Sequence, residues 1–422
     1  MNGESYEGED GMLSLAALQE NIDQVGRNFP WYQPWSGLNG NAKVLSAWED
    51  VPLLTASALE MHYYVESNPL AQRDDVQRYQ TSGTSSGRRK TIYYTKSDEE
   101  AYLRIKLDII RSILGSNCYK TAMADMGTGH AEATAMEVFR HLNMEVESLS
   151  FRLPIEQHLE RIAAFRPEVL YTMPSILERI LQASDDAASY GIRHIILVGE
   201  IASPEWIRRV AEQMGIGAEQ ITDTYGSIEI GTIAYFSHRY GRYLLAEGIM
   251  AEGVCSSVIE EGLEPLAKGE QVLVLTSTVR DSFPALRYVT YDVVRDLRLI
   301  EVDGNPRQSF QSIVKRIGPD QKHGEKISLY DIEEVVCRRL GDASVRVKVT
   351  GNGLQVHVYS PNVSDLLLTS IRDDLENRIP EIGIMIRSGI LEGIQVIGGV
   401  YDDSLHRHSV KGKKIVYKEE SL

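Results

Sequence analysis

The sequence predicts an α/β fold: a large N-terminal domain of layered α/β sheets with a β-rich subdomain, then a small α+β C-terminal domain. Three observations carry this prediction. Apolar runs alternate with amphipathic stretches through the middle of the chain, the pattern of strands covered by helices. After about Met250 the helical stretches give way to strand-like runs and tight turns. The last part, roughly a hundred residues and so of domain size, has a strand and helix pattern of its own. The division is placed at residues 1–314 and 315–422, in the stretch Lys315–Asp320.

Taken in order, residues 1–11 read as an acidic, mobile start. Phe29–Trp35 reads as a Pro/Trp-rich turn and Pro52–Tyr64 as a short helix. Ser97 is the expected N-cap of a helix that runs to about Leu114, because Asp98 and Glu99 then fall in its first turn. Val169–Thr172, His194–Val198 and Ile221–Thr224 are apolar enough to be buried strands. Ser175–Ala188 and Ser203–Met214 are amphipathic, and Pro204 suits the first helical position. Gln271–Ser277 and Tyr288–Leu299 are strand-like, with turns at Lys268-Gly269 and Asp303-Gly304. Beyond them come a helix (Ser328–Leu340), strands near Val345–Val349 and Gln355–Tyr359, a helix (Val363–Arg378) and a strand near Gly393–Ile397.

Composition excludes some classes. The chain has 422 residues, 44 basic against 60 acidic, for a formal charge of −16. Such a surface repels nucleic acid and anionic membrane, so neither is an expected partner. Cys118, Cys255 and Cys337 have no metal spacing and read as thiols in a reducing compartment. The acidic start lacks the basic and apolar parts of a secretory signal, and no apolar run is long enough to span a bilayer. The expectation is a soluble cytoplasmic protein.

Five stretches carry chemistry. Thr81-Ser82-Gly83-Thr84-Ser85-Ser86-Gly87-Arg88-Arg89-Lys90 combines glycines, hydroxyls and cations, as an anion-binding loop does. It lacks the Walker spacing, and a polar surface turn has the same composition. Asp223-Thr224-Tyr225-Gly226-Ser227-Ile228-Glu229 ends a strand in a turn, where an aromatic face could stack on a base and a carboxylate could hold Mg²⁺. Arg287-Tyr288-Val289-Thr290-Tyr291-Asp292 offers a strand carboxylate able to take two ribose hydroxyls, or simply to face solvent. Arg316 lies at the domain boundary, where a surface ion pair is the ordinary role. Val410-Lys411-Gly412-Lys413-Lys414 is a basic tail, most simply a solvated end.

Their order changes the reading. The sequence resembles the adenylate-forming superfamily of acyl- and aryl-CoA ligases, in particular its short phenylacetate–CoA ligase-like branch. That family has, in this order, a Ser/Thr/Gly phosphate loop, a Tyr-Gly-x-x-Glu motif, a Thr-Gly-Asp-type motif, an Arg hinge and a late Gly-Lys. Counterparts of all five occur here, along with Arg166-Pro167-Glu168-Val169-Leu170, Met173-Pro174-Ser175 and Val198-Gly199-Glu200. Four features differ from the pattern, the first being Arg88-Arg89-Lys90 in place of the usual Lys-Pro. The second loop glycine comes one residue late, Tyr291 replaces a glycine, and Gly318 stands where the hinge acid belongs.

The resemblance implies a large adenylate-forming domain and a C-terminal domain that rotates between half-reactions. It implies that Thr81, Ser82, Gly83, Thr84 and Ser85 cradle the phosphates of ATP. Gly199, Glu200, Asp223, Thr224 and Tyr225 would frame adenine, with Gly226 and Ser227 completing that nucleotide-binding segment. Glu229 would hold Mg²⁺, Asp292 and Arg316 the ribose. Lys413 would reach the substrate carboxylate and the α-phosphate, with Lys414 left open. The acid pocket would be lined by Met126, Gly127, His130, Tyr171, Met173, Pro174, Ser227 and Ile230. The implied activity is activation of a small carboxylic acid, aromatic by the branch resemblance, as an acyl-adenylate. The acceptor could be coenzyme A, a carrier-protein thiol or an amine, and the protein a monomer or a homodimer. The competing reading is a degenerate nucleotide-binding scaffold without turnover.

Overall fold

The alternation of strand and helix expected for the middle of the chain is present. The computed structural model describes residues 14–38, 46–80, 90–126, 130–260, 263, 265–318, 329–350, 353–387, 391–399 and 415–418. The chain clusters into two units, Met1–Gly115 with Thr224–Gly318, and Ser116–Asp223 with Pro319–Leu422.

In the second unit, four parallel strands lie in the order His194–Val198, Val169–Thr172, Thr121–Asp125, Glu145–Leu149. Helices His130–His141, Ile155–Phe165, Pro174–Ala183 and Pro204–Met214 connect or follow them. Leu170, Ile195 and Leu197 from the strands pack with Leu177, Ile180, Trp206 and Val210 from the helices. Each fully buried aliphatic side chain of this kind contributes about 1.5–3 kcal/mol relative to exposure. The expected helix Ser175–Ala188 is shorter, Pro174–Ala183, and a separate turn, Ala187–Tyr190, follows it.

The same unit holds the small α+β domain. Its sheet runs Gly393–Gly399, Gly353–Tyr359, Ser344–Thr350, Ile415–Lys418, covered by Leu329–Arg339, Asp365–Arg378 and Pro380–Arg387. Ile332, Val336, Val356, Val358, Ile371 and Leu375 form its core. The sequence reading missed the helix starting at Pro380 and the strand Ile415–Lys418, which pairs in parallel with Ser344–Thr350. So short a strand gives too little periodicity to be seen alone.

The first unit is mainly antiparallel. One sheet runs Ile249–Val254, Glu270–Ser277, Tyr288–Arg295, Ser312–Arg316. The expected strand Tyr288–Leu299 is two strands, because Asp296 adopts a positive φ of 56° and the chain resumes at Arg298–Val302. Asp303 and Gly304, both at positive φ, make the predicted hairpin turn. Tyr32–Ser36 is a short helix where a turn was expected, and the helix expected at Pro52–Tyr64 is confined to Ala56–His62 by its Thr55 cap.

The long helix corrects the expected cap. It is Lys96–Leu114, and its N-cap is Thr95, not Ser97. The Thr95 hydroxyl accepts from the Asp98 backbone N–H, and the Asp98 carboxylate accepts from that of Thr95. Reciprocal capping of this kind satisfies two orphan donors at once. Ser97 instead donates to Asp281. No helix among the described residues is long and apolar enough to cross a membrane.

Candidate active site

The first unit brings together Tyr225, Glu229, Asp292 and Arg316. Strand Ile221–Ser227 ends in a turn that requires glycine, since a Cβ on Gly226 would lie 2.7 Å from the Gly231 carbonyl oxygen. Within that turn the Ser227 hydroxyl accepts from the Ile230 backbone N–H at 3.2 Å. Ile230 is buried. Two side chains hold the turn from outside. The Tyr94 hydroxyl donates to the Ile228 carbonyl at 2.8 Å, and Arg280 Nε donates to the Glu229 carbonyl at 2.9 Å.

Asp292 and Arg316 are opposed residues on neighbouring strands. Their charged groups lie 3.6 Å apart, with Asp292 largely covered and Arg316 half exposed. The Tyr225 hydroxyl donates to the second Asp292 oxygen at 2.5 Å. Burial, then the Asp292 charge, hold the Tyr225 phenol far above its usual range, so it stays a donor at neutral pH. The Asp292 charge likewise raises the Arg316 guanidinium above its ordinary value, outweighing burial. Tyr225, Asp292 and Arg316 thus form one polar row able to meet the hydroxyls of a sugar.

Glu229 is half-buried, and its carboxylate makes no hydrogen bond or ion pair among the described residues. Burial raises the phenols of Tyr64 and Tyr288, and the Glu229 charge adds to it in both. A half-buried carboxylate of this kind is an oxygen ligand of the type Mg²⁺ takes, and the Arg316 guanidinium is also within its electrostatic reach. No cluster of three or more candidate ligands occurs among the described residues.

Lys90 closes the loop stretch Thr81–Lys90. It pairs with Glu60 at 2.7 Å, and its ammonium lies 4.7 Å from the centre of the Tyr64 ring. Thr81, Ser82, Gly83, Thr84 and Ser85 themselves, like Gly127 and Lys413, lie outside the described residues.

The second unit places its candidates just beyond the carboxyl ends of three parallel strands. Met126 follows Thr121–Asp125, Met173 and Pro174 follow Val169–Thr172, and Gly199 and Glu200 follow His194–Val198. Open α/β sheets bind ligands at such ends. Tyr171 and Met173 are buried, and His130 begins a helix half-covered. The Glu200 carboxylate accepts from the Ser175 backbone N–H and hydroxyl, at 2.8 Å each. It therefore meets a free donor in the first turn of helix Pro174–Ala183. Asp223, buried, ends the first segment of this unit, and Thr224 begins the second segment of the other.

Sequence reasoning missed Tyr64, Tyr94, Arg280 and Tyr288. Tyr288 sits inside a motif it quoted and Tyr64 ends a stretch it read only as a helix, and the roles of all four depend on partners distant in sequence.

Comparison with known proteins gives the family. A family model described as AMP-binding enzyme matches residues 146–271, and one described as fumarate--diaminopropanoate ligase C-terminal domain matches 322–402. The fumarate--(S)-2,3-diaminopropanoate ligase of Enterobacter agglomerans is 35% identical over 375 residues, covering 89% of this chain and 93% of that protein. The phenylacetate-coenzyme A ligase of Thermus thermophilus is 25% identical over 242 residues, covering 52% of this chain and 50% of the other. Among solved structures, a 2-hydroxyisobutyryl-CoA ligase in the postadenylation state superposes with a TM-score of 0.71 at 15% identity. It covers 96% of this chain and 88% of that one, a likeness of fold.

Proposed function

The chain belongs to the adenylate-forming superfamily of AMP-binding ligases, and from that premise we propose that it joins a small carboxylic acid to the amine of a small amino acid through an acyl-adenylate. The observation that carries the choice of acceptor is the 35% identity to an amide-forming ligase across 89% of the chain. The coenzyme A acceptor and aromatic acid expected from the sequence rest on a more distant relative that covers half the chain. A short dicarboxylic acid such as fumarate, with a diamino acid as acceptor, is the favoured pair.

In this reading the substrate carboxylate attacks the α-phosphorus of ATP and pyrophosphate leaves. No general base is required, because the acid is ionised at neutral pH. The protein positions the reactants and meets developing charge. Tyr225, Asp292 and Arg316 hold the ribose. Thr81–Ser85 take the outer phosphates, and Glu229 holds Mg²⁺, whose charge would offset that of the phosphates. Lys413 comes from a mobile domain that begins at about residue 315. The deprotonated amine then attacks the acyl carbon, and AMP leaves with the bonding electrons of the acyl–oxygen bond.

Acid-dependent exchange of labelled pyrophosphate into ATP tests the first step. Fumarate should support it better than phenylacetate, and adding 2,3-diaminopropanoate should give an amide by mass analysis. A thioester formed with coenzyme A in preference to the amide would reverse the choice of acceptor. Absence of exchange with every acid of a broad panel, from folded protein, would leave the scaffold reading.

Asp292→Asn is expected to raise KM for ATP by roughly 10- to 100-fold, the weight of hydrogen bonds to a charged group. KM for the acid should change little. An unchanged KM for ATP would remove Asp292 from the ribose site.

A further inference from the structure

Arg280 lies between strands Glu270–Ser277 and Tyr288–Arg295, in a stretch to which no function has been attached. Its side chain is 2% exposed, yet every face of the guanidinium is occupied. Nε donates to the Glu229 carbonyl at 2.9 Å, Nη1 to the Ser282 hydroxyl at 2.9 Å and Nη2 to the Tyr93 carbonyl at 3.1 Å. Nη1 also pairs with Asp98 at 2.8 Å. The guanidinium lies 3.8 Å from the centre of the Tyr94 ring, and the Tyr94 hydroxyl takes the Ile228 carbonyl.

Four segments therefore meet at one charge. They are strand Thr91–Thr95, which follows the Ser/Gly stretch directly, the first turn of helix Lys96–Leu114, the Arg280–Ser282 connector and the Ile228–Glu229 turn. Stability alone does not call for such a group, because apolar residues of similar volume often serve as well or better in place of a buried ion pair. What a guanidinium adds is direction. Its fork geometry fixes donors relative to one another. Here Nε and the Tyr94 hydroxyl take two successive carbonyls, Ile228 and Glu229, and so set the direction in which the Glu229 side chain leaves the backbone.

We propose that Arg280, oriented by Asp98 and Tyr94, is a positioning residue that aims the Glu229 carboxylate at the metal of the nucleotide site and ties it to the strand that follows the phosphate loop. The inference rests on reading Glu229 as the Mg²⁺ holder.

The test is Mn²⁺ binding, followed by electron paramagnetic resonance, to the full-length protein loaded with a non-hydrolysable ATP analogue. Nucleotide binding without metal is measured alongside. Tyr94→Phe keeps the ring and removes one hydrogen bond, so Mn²⁺ binding should weaken roughly 3- to 10-fold. Arg280→Lys should weaken it further, and metal-free nucleotide binding should stay within about twofold for both, as expected for groups remote from the nucleotide. Glu229→Gln should weaken Mn²⁺ binding most. If Glu229→Gln binds Mn²⁺ as the parent does, the reading of Glu229 falls and the inference with it. If Glu229→Gln fails but Tyr94→Phe binds normally, the positioning inference alone is overturned. Equal losses of Mn²⁺ and metal-free nucleotide binding would also overturn it, as general damage. Should Arg280→Lys not fold, Tyr94→Phe decides.

Discussion

Lys413→Ala is expected to lower acid-dependent pyrophosphate exchange by about 10²–10³-fold while ATP affinity changes by less than roughly threefold. The expected loss follows from where charge develops. In the proposed reading, the ribose and outer phosphates of ground-state ATP would be met by Asp292, Arg316 and Thr81–Ser85, elsewhere in the chain. When the acid attacks, negative charge gathers around the α-phosphorus and its new oxygen partner. A mobile cation at that point is worth most in the transition state, so its loss falls on turnover rather than on binding. Lys413 follows Gly412 and lies two residues before strand Ile415–Lys418, which is hydrogen-bonded into the small domain's sheet. Lys414→Ala is the control, with a loss of no more than about threefold expected for a solvated charge. If the two results are reversed, the role belongs to Lys414. If neither variant loses exchange, the tail has no part in adenylation.

What could be read from the sequence was local or ordered along the chain. Two of the four parallel strands, Val169–Thr172 and His194–Val198, were visible as apolar runs, whereas the less apolar Glu145–Leu149 was not; the Tyr225–Glu229 turn and Asp292 stood out through their order along the chain. The misses have physical causes. Ser97 and Thr95 are equally good caps by type, and the choice went to Thr95 because Asp98 then completes a reciprocal pair. Tyr291, in place of the family's glycine, takes a positive φ of 62°, a conformation that costs a non-glycine residue of order 1–3 kcal/mol. The structure shows what holds it there. Its hydroxyl accepts from the Ala56 backbone N–H, its carbonyl accepts from that of Ile317, and its ring lies where a Cβ on Gly318 would come within 3.2 Å. Two of the departures from the family pattern, Tyr291 and Gly318, are thus one packing solution. Neither position gives a sign of the other in the sequence. Asp98 and Arg280 are a harder case of the same kind, because nothing in either local stretch points across the 181 residues between them.

That pair carries the largest expected stability effect. Asp98→Asn should cost about 3–5 kcal/mol at neutral pH, because it leaves the Arg280 charge buried without a counter-charge. Asp98 is fully buried and accepts from the backbone N–H groups of Thr95, Asp281 and Ser282 as well as from the Ser282 hydroxyl. Burial pushes its carboxyl up, but the Arg280 charge and these donors outweigh it and hold the group below its ordinary range. A carboxylate whose folded pKa lies below the unfolded value stabilises fully above that value, near 3.9, and loses its contribution as pH falls through the folded pKa. The gap between parent and variant, measured by urea unfolding, should therefore be constant from about pH 5 to 8 and narrow below about pH 4. Adding Arg280→Met to Asp98→Asn removes the stranded charge and should recover a large part of the loss. A single variant that loses less than about 1 kcal/mol would show that the carboxylate is not needed to offset the buried charge. The double variant also separates two roles of the same group. Its stability should return, but its Mn²⁺ affinity should not, because methionine fills the space of the guanidinium without holding the Glu229 carbonyl.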